Sequence, residues 1–164
     1  MNGFGPSYNR NVGIKSCSEK YIVTMDSDTI LTKEWLSKMV DFMEKNPSVG
    51  ICGGKILFED SPNIINTAGG GLTRPGIAYH RGVGNNKNKT KYNKILNTIY
   101  LCSASMIIRR EILDSIGMFD PDYFYGHEDL DLCWRANIAG FDVLYYPKAE
   151  SYHEENASVK KFPS

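Results

Sequence analysis

The chain has 164 residues, of which 41% are hydrophobic, and this content excludes a largely disordered protein. Its 19 basic and 19 acidic residues cancel, so the basic excess typical of nucleic-acid-binding proteins is absent. Because no apolar run approaches the roughly 20 residues of a membrane-spanning helix, we expect one globular domain over residues 1–164, with no nucleic-acid partner and no transmembrane segment.

The first half of the sequence predicts a strand, a helix and a second strand. The β-branched and aromatic run at 21–25 predicts a buried strand, and "VGICGGKILF" at 49–58 predicts another. Residues 32–46 predict a helix with Thr32 as its N-cap and Pro47 after its end. Such a βαβ unit favours parallel strands at the centre of the sheet. The apolar face of the helix would carry Trp35, Leu36, Met39, Val40 and Met43.

The second half predicts less regular structure and then two further strand and helix units. Residues 61–95 are rich in Gly, Asn and Lys and favour hairpins and a mobile surface loop. "AGGGL" at 68–72 is not a Walker-type phosphate loop, because no Gly-Lys-Ser/Thr follows it. "ASMIIRREILDSIG" predicts a strand and a short helix closed by Gly117.

The last segment predicts a helix that ends near Gly140, followed by the strand "FDVLYY" at 141–146. The predicted buried face of this helix carries Leu130, Cys133, Trp134 and Ile138. The fold class that these elements indicate is α/β, with a mixed, mainly parallel sheet.

The four cysteines are widely spaced and contain no C-x-x-C pair, which argues against a zinc site or a disulfide scaffold. They predict buried free thiols in a reducing compartment, so we expect a cytoplasmic protein. The cysteines are Cys17, Cys52, Cys102 and Cys133.

Asp26 and Asp28 follow the first predicted strand directly, at the end where α/β sheets bind ligands. Magnesium and manganese take hard oxygen ligands together with substrate phosphates, so the pair is typical of a metal–diphosphate site. An Asx-turn at the entry to the helix would explain the same residues. An EF-hand loop is excluded, because Leu31 and Ser37 stand where Gly and Glu are required.

Glu128 and Asp129 open the last predicted helix, where the helix dipole favours ionised carboxylates that could accept a proton. Complementarity to the dipole alone would also explain them. Asp131 and Arg135 are spaced as an i,i+4 surface ion pair. A lone histidine such as His153 is either a structural residue or a metal ligand.

Taken together, these motifs resemble the family 2 glycosyltransferases, and most closely the branch described as rhamnosyltransferase-like. The resemblance implies a GT-A fold, a nucleotide-diphosphate sugar donor, inversion at the anomeric carbon and a glycan or lipid-linked acceptor. It rests, in chain order, on "YNRNVGI", "YIVTMDSDT", "WL", "ASMIIRR" and "IGMFDPDYFYGHEDLDLCWRANIAGFDVLYYPKAESYH".

The resemblance also implies roles for individual residues. Asp26 and Asp28 match the positions that hold Mg or Mn and the donor diphosphate, and His153 matches a histidine that completes the metal site in some members. Asp129 matches the general base, with Glu128 as its acidic neighbour. Arg10 matches a basic position near the nucleotide. Apart from the resemblance, the aromatic residues of the loop at 119–125 could stack on sugar faces. We expect this of Tyr123 and Tyr125, and we expect Phe119 and Phe124 to be core residues instead.

The chain departs from the family at its start, because the strands that bind the nucleoside are missing before "NGFG". We therefore expect the C-terminal part of a catalytic domain, self-association along the sheet edge left open, and a location in the cytoplasm or at the inner face of the membrane. Two alternatives are a non-catalytic remnant that acts as a binding module and a haloacid-dehalogenase-type phosphatase. The phosphatase motif requires Thr or Val where Ile30 stands.

Overall fold

A computed structural model describes residues 5–154 of the chain. The helices are α1 (Pro6–Lys15), α2 (Trp35–Lys45), α3 (Arg110–Ile116) and α4 (Glu128–Ile138), with a 3₁₀ turn at Thr90–Tyr92. The strands are β1 (Tyr21–Met25), β2 (Thr29–Leu31), β3 (Val49–Phe58), β4 (Ile65–Thr67), β5 (Gly70–Leu72), β6 (Ala78–His80), β7 (Leu96–Asn97), β8 (Ser105–Arg109) and β9 (Asp142–His153). Among the described helices, none is long and apolar enough to cross a membrane.

The main sheet is mixed and has the order β1-β8-β3-β9-β2, with β4 on β3 and β7 on β9. The α/β class and the mixed sheet predicted from the sequence are confirmed. The parallel pair at the centre is β3 with β9, and the other pairings of this sheet are antiparallel. The strands of the predicted βαβ unit are not neighbours, because β8 lies between β1 and β3 and pairs antiparallel with both.

Strand β9 is longer than the sequence predicted, and its length determines where His153 lies. We expected a strand that stops before Pro147, with His153 beyond its end, but β9 continues through both residues. Its register against β3 shifts between Tyr145 and Glu150, and such a bulge accommodates a proline because it needs no ladder donor. The longer strand therefore places His153 at the same end of the sheet as the C-terminal end of β1.

Helix α2 covers one face of the sheet and packs with Trp35, Met39 and Met43, which are fully buried at a spacing of four residues. The predicted buried face was wrong for Leu36, which is 54% exposed, because one residue is about 100° of rotation around a helix. The predicted N-cap was also wrong. The Thr32 hydroxyl donates to the Glu150 carbonyl oxygen of β9 at 2.8 Å instead of capping the helix.

Helix α4 packs on the other face of the sheet through Leu132, Cys133 and Ala136. Trp134 and Ile138 were predicted on this buried face, and both are exposed. The helix is rotated about its axis so that Leu132, Cys133 and Ala136 face inward instead. Gly117 and Gly140 follow α3 and α4 with positive φ angles, as predicted for residues that end helices.

The glycine- and lysine-rich middle contains the predicted hairpin, formed by β5 and β6. The following segment is anchored to the sheet by Lys55, whose side chain is only 3% exposed. Its ammonium donates to Asn93 Oδ1 at 2.6 Å and lies 3.5 Å from the Glu150 carboxylate. A buried charge needs such partners, and these contacts hold the segment against β3.

All four cysteines are free thiols, as predicted. Cys52 and Cys133 are buried, and burial raises the pKa of both thiols. Cys17 is exposed, contrary to the prediction, because it lies in the turn between α1 and β1.

Candidate functional site

A cavity of about 690 Å³ opens where β1 and β9 end and α4 begins. It is lined by two sets of residues that differ in charge. One set carries formal charges or could bind a cation: Arg10, Asp26, Asp28, Glu128, Asp129 and His153. The other set is small, polar or aromatic: Pro6, Ser27, Ala78, His80, Tyr100, Cys102, Ser103, Tyr125, Gly126, His127 and Leu130.

Asp26, Asp28 and His153 form what we call the metal-side cluster. A tight turn joins β1 to β2, with the Thr29 amide donating to the Asp26 carbonyl at 3.1 Å. Thr29 in turn pairs with His153 across β2 and β9. This pairing places the His153 Nε2 atom 3.2 Å from Asp28 Oδ1, so two segments far apart in sequence meet at one sheet edge.

The metal-side cluster fits a divalent cation. Each of Asp26, Asp28 and His153 offers one ligand atom, and these atoms all lie within 4.8 Å of one another. Carboxylate oxygens suit magnesium, and manganese also accepts an imidazole nitrogen. Helix entry does not explain the aspartates, because α2 begins at Trp35 with no side-chain cap.

Arg10 of α1 links the metal-side cluster to the start of α4. Its guanidinium donates to Asp26 at 2.7 Å and to Glu128 at 2.6 Å, and it lies over the Phe119 ring at 5.5 Å. Burial disfavours the charge of Arg10, but the two carboxylates outweigh that effect and raise its pKa. The second Glu128 oxygen, Oε2, is buried without a hydrogen-bond partner among the described residues.

Asp129 lies in the first turn of α4, and the backbone before it is sharply turned. Gly126 and His127 both have positive φ, 80° and 70°, and this bend aims the start of the helix at the cavity. Asp129 accepts hydrogen bonds from the Ser103 amide at 3.2 Å and from the Leu130 amide at 2.8 Å.

The pKa of Asp129 shifts in the direction opposite to the one expected from the helix dipole, which favours the ionised carboxylate. Burial raises the pKa of this carboxyl, and the neighbouring Glu128 charge adds to the effect, while the two amide donors oppose it. Burial wins because a carboxylate loses most of its hydration in this position. A raised pKa suits a residue that must take up a proton near neutral pH.

The ion pair predicted between Asp131 and Arg135 forms at 2.6 Å. It is more than a surface pair, because Arg135 also donates to the carbonyl oxygens of Ile116, Gly117 and Met118. These bonds tie α4 to the end of α3, so Asp131 serves the fold and is not among the cavity-lining residues.

The aromatic loop before α4 is arranged differently from the prediction. Phe119 is buried, as expected, but Phe124 is 65% exposed and not part of the core. Its backbone packs so close to Gly5 that a Cβ there would lie 2.1 Å from the Phe124 carbonyl oxygen. Tyr125 is 86% exposed and lines the cavity, whereas Tyr123 is outside the lining, and its carbonyl oxygen accepts a hydrogen bond from the Ser7 hydroxyl.

Several cavity residues were not among the predicted site residues. They are His80, Tyr100, Cys102, Ser103 and His127. His80 lies in the hairpin, and Tyr100 lies in the segment after it. The triple glycine at 69–71, at the start of the first strand of the same hairpin, is a local sequence pattern that could have indicated this part of the site.

The family described as Glycosyl transferase family 2 matches residues 1–117 of the chain. Among curated proteins, the chain is 25% identical over 159 residues to a pre-mycofactocin glycosyltransferase of Mycobacterium tuberculosis (strain ATCC 25618 / H37Rv), covering 95% of this chain and 31% of that protein. It is 24% identical over 139 residues to a poly-beta-1,6-N-acetyl-D-glucosamine synthase of Staphylococcus epidermidis, covering 85% of this chain and 31% of that protein.

The fold is similar to that of a solved GalNAc-T7 structure with UDP, GalNAc and Mn²⁺, with a TM-score of 0.71 and 14% sequence identity. The alignment covers 92% of this chain and 30% of that chain. This similarity shows the GT-A fold. The chain thus spans less than a third of the length of each of these proteins.

Proposed function

We propose, from the fact that this chain belongs to glycosyl transferase family 2, that it transfers a sugar from a nucleotide-diphosphate donor to a glycan or lipid-linked acceptor, with inversion and with a divalent metal. The observation that carries the proposal is the shared cavity. It brings the metal-side cluster of Asp26, Asp28 and His153 together with the half-buried carboxyl of Asp129.

The charged residues of the cavity support a binding site for the donor diphosphate on the metal side. Asp26, Asp28 and His153 would hold Mg²⁺ or Mn²⁺, which when bound neutralises charge on a diphosphate leaving group. Arg10 lies beside this cluster, bonded to Asp26, and its second bond to Glu128 keeps its guanidinium at the cavity wall. A guanidinium in that position favours a phosphate-bearing ligand.

The acceptor side follows from Asp129. Its carboxylate takes the proton of the attacking acceptor hydroxyl, and the elevated pKa makes it a better proton acceptor than an exposed aspartate. Attack on the face of the sugar opposite the diphosphate gives inversion in one displacement. Glu128, whose Oε2 has no hydrogen-bond partner among the described residues, and the exposed ring of Tyr125 at the cavity wall would contact the acceptor. A contact between Tyr123, which is outside the lining, and the acceptor stays a prediction.

The acceptor class is supported by the names of the relatives, one of which is a polysaccharide synthase. The rhamnosyltransferase-like branch and the cytoplasmic or membrane-face location stay predictions. Self-association along β1 also stays a prediction. Within residues 5–154, β1 pairs with β8 and with no other strand, and an open edge of this kind can accept a further strand.

The test is nucleotide binding by the full chain, measured calorimetrically with UDP, GDP and TDP, each with Mn²⁺ and with EDTA. We expect binding that depends on Mn²⁺ for at least one nucleotide. Asp28→Ala should remove the metal-dependent part, because two ligands hold the cation far more weakly than three.

Asp41→Ala is the matched control, since Asp41 is an exposed aspartate of α2 away from the cavity. It should bind as the wild type does. Metal-dependent binding that survives Asp28→Ala unchanged would show that the cation is held elsewhere.

A further inference from the structure

The triple glycine that is not a phosphate loop shapes one wall of the cavity. We call this the hairpin wall and define it as Ala78 and His80 of β6 together with Tyr100, all of which line the cavity. None of these side chains is a carboxylate, a lysine or an arginine. The hairpin wall therefore differs from the metal-side cluster in the ligands that it can bind.

Glycine is needed at position 70 because of the register of the hairpin. Gly70 pairs with His80, and Gly71 pairs with Tyr79. Paired residues of antiparallel strands share a face, so a side chain at position 70 would stand beside His80. A Cβ there would lie 2.1 Å from the Tyr100 ring. Because Gly70 has no side chain, the Tyr100 ring can occupy the space next to His80.

Hydrogen bonds fix the two rings in this place. The Tyr100 hydroxyl lies 3.4 Å from His80 Nδ1, and the Thr67 hydroxyl lies 3.2 Å from the same nitrogen. The ring centroids of His80 and Tyr100 are 5.7 Å apart. The Gly70 amide donates to the Tyr100 carbonyl at 3.0 Å, so both the backbone and the side chain of Tyr100 are held by the hairpin.

Tyr100 is also linked by the chain to the proposed base. Three residues after it, the Ser103 amide donates to Asp129 Oδ2, so the hairpin wall and Asp129 are joined through one short segment. Burial raises the pKa of Tyr100, with the Asp129 charge as a further cause. The phenol therefore stays neutral and keeps its proton for hydrogen bonding.

We propose that His80 and Tyr100 form a subsite for the acceptor, where they bind hydroxyl groups of a sugar and orient the reacting hydroxyl toward Asp129. This inference rests on the proposed function and adds to it the residues that select the acceptor. A neutral phenol and an imidazole both donate and accept hydrogen bonds, as sugar hydroxyls do. A diphosphate would instead require the cations found at the metal-side cluster.

The test uses the full chain with methyl glycosides of glucose, galactose, mannose, rhamnose and N-acetylglucosamine as probes. Their binding is measured by saturation-transfer NMR in the presence of a nucleoside diphosphate and Mn²⁺. Tyr100→Phe removes one hydroxyl and His80→Ala removes one ring. Each should weaken glycoside binding about three- to tenfold, the effect of losing one hydrogen bond, while nucleotide binding stays within twofold of wild type.

Tyr79→Phe is the matched control. Tyr79 lies on the same hairpin, but its hydroxyl is directed to Gly71 and it is outside the cavity lining. It should bind glycosides as the wild type does. His80 is exposed, so His80→Ala keeps the test valid if Tyr100→Phe fails to fold.

Two results would overturn the inference: no glycoside binds the wild type, or glycosides bind the His80 and Tyr100 variants as well as they bind the wild type. The proposed function fails separately. If nucleotides do not bind while glycosides bind in a way that depends on His80 and Tyr100, the donor assignment is wrong and the hairpin subsite stands.

Discussion

The two sides of the cavity are built by opposite means. The metal-side cluster is a concentration of charge, with Asp26, Asp28 and His153 close enough that a cation could bridge them. The hairpin wall is neutral, and it exists because position 70 carries no side chain that would displace Tyr100. Backbone hydrogen bonds and strand pairing hold the charged groups of the first side near one another, whereas close packing holds the second side through contacts that tolerate almost no change in volume.

Because of this difference, we expect substitutions on the two sides of the cavity to have different structural consequences. Removal of a charged group from the metal-side cluster leaves the backbone in place, because the turn at Asp26 and the pairing of β2 with β9 are backbone interactions. Addition of one carbon to the hairpin wall forces the backbone or Tyr100 to move. Asp129 stands between the two sides, bonded to Ser103 on one flank and next to Glu128 and Arg10 on the other.

The largest effect is expected at Asp129. Asp129→Asn should lower the turnover of sugar transfer by about 100- to 10,000-fold, the usual contribution of a general base, and leave donor binding unchanged. The asparagine oxygen can still accept from the Ser103 amide, so the fold should survive. Turnover and nucleotide affinity are measured on the same preparations, with Asp122→Asn in the exposed loop as the control.

The pH dependence of turnover tests whether Asp129 is the general base. Asp129 must be ionised to accept a proton, and its pKa is raised, so wild-type turnover should fall as the pH drops through a value above the ordinary range near 4. The Asp129→Asn variant should lack this decline. A variant that keeps both the turnover and the acidic decline of the wild type would move the base to another residue.

A smaller effect is expected from a single carbon on the hairpin wall. Gly70→Ala places a Cβ against the buried Tyr100 ring and should reduce the free energy of unfolding by about 1–3 kcal/mol, the usual cost of overpacking. Gly13→Ala in α1 is the control, because nothing lies within 4 Å of its added carbon. That variant should be neutral or more stable by about 0.5–1 kcal/mol. Urea unfolding measures both.

If Gly70→Ala is as stable as the wild type, the hairpin is free to move and the neutral side is not held by packing. If it is destabilised but still binds nucleotide with Mn²⁺, the two sides of the cavity are independent of each other.

The same contrast explains what the sequence could predict. The strands at 21–25 and 49–58 and the aspartates after the first of them are local patterns, and the structure places them as expected. The residues alone left His153 as either a structural residue or a metal ligand, and only the family resemblance favoured the metal role. Its position depends on a bulge near Pro147 that lets β9 continue. No local pattern predicts such a bulge.

The hairpin wall could not be predicted, because its residues meet through register. Gly70, His80 and Tyr100 are brought together by one antiparallel pairing and one bridge between Gly70 and Tyr100. The wrong helix faces have a related cause. Leu36 and Ile138 fit an apolar period, but the rotation of α2 and α4 is decided by what each helix packs against.

The smallest expected effect is on the pH dependence of stability. It tests whether the charge of Asp129 is destabilised by burial or stabilised by its charged and polar neighbours. Because the folded state raises the pKa of this carboxyl, the folded chain binds more protons than the unfolded chain between the ordinary value near 4 and the raised value. Stability attributable to Asp129 is therefore complete below about pH 4 and is lost as the pH rises through the raised pKa. Asp129→Asn is neutral at every pH and should escape this loss. In metal-free buffer its melting temperature should match that of the wild type near pH 4 and exceed it at pH 7. The reverse order at pH 7 would mean that Arg10 and the amide donors stabilise the charge more than burial opposes it, and Asp129 would then belong with the charged side.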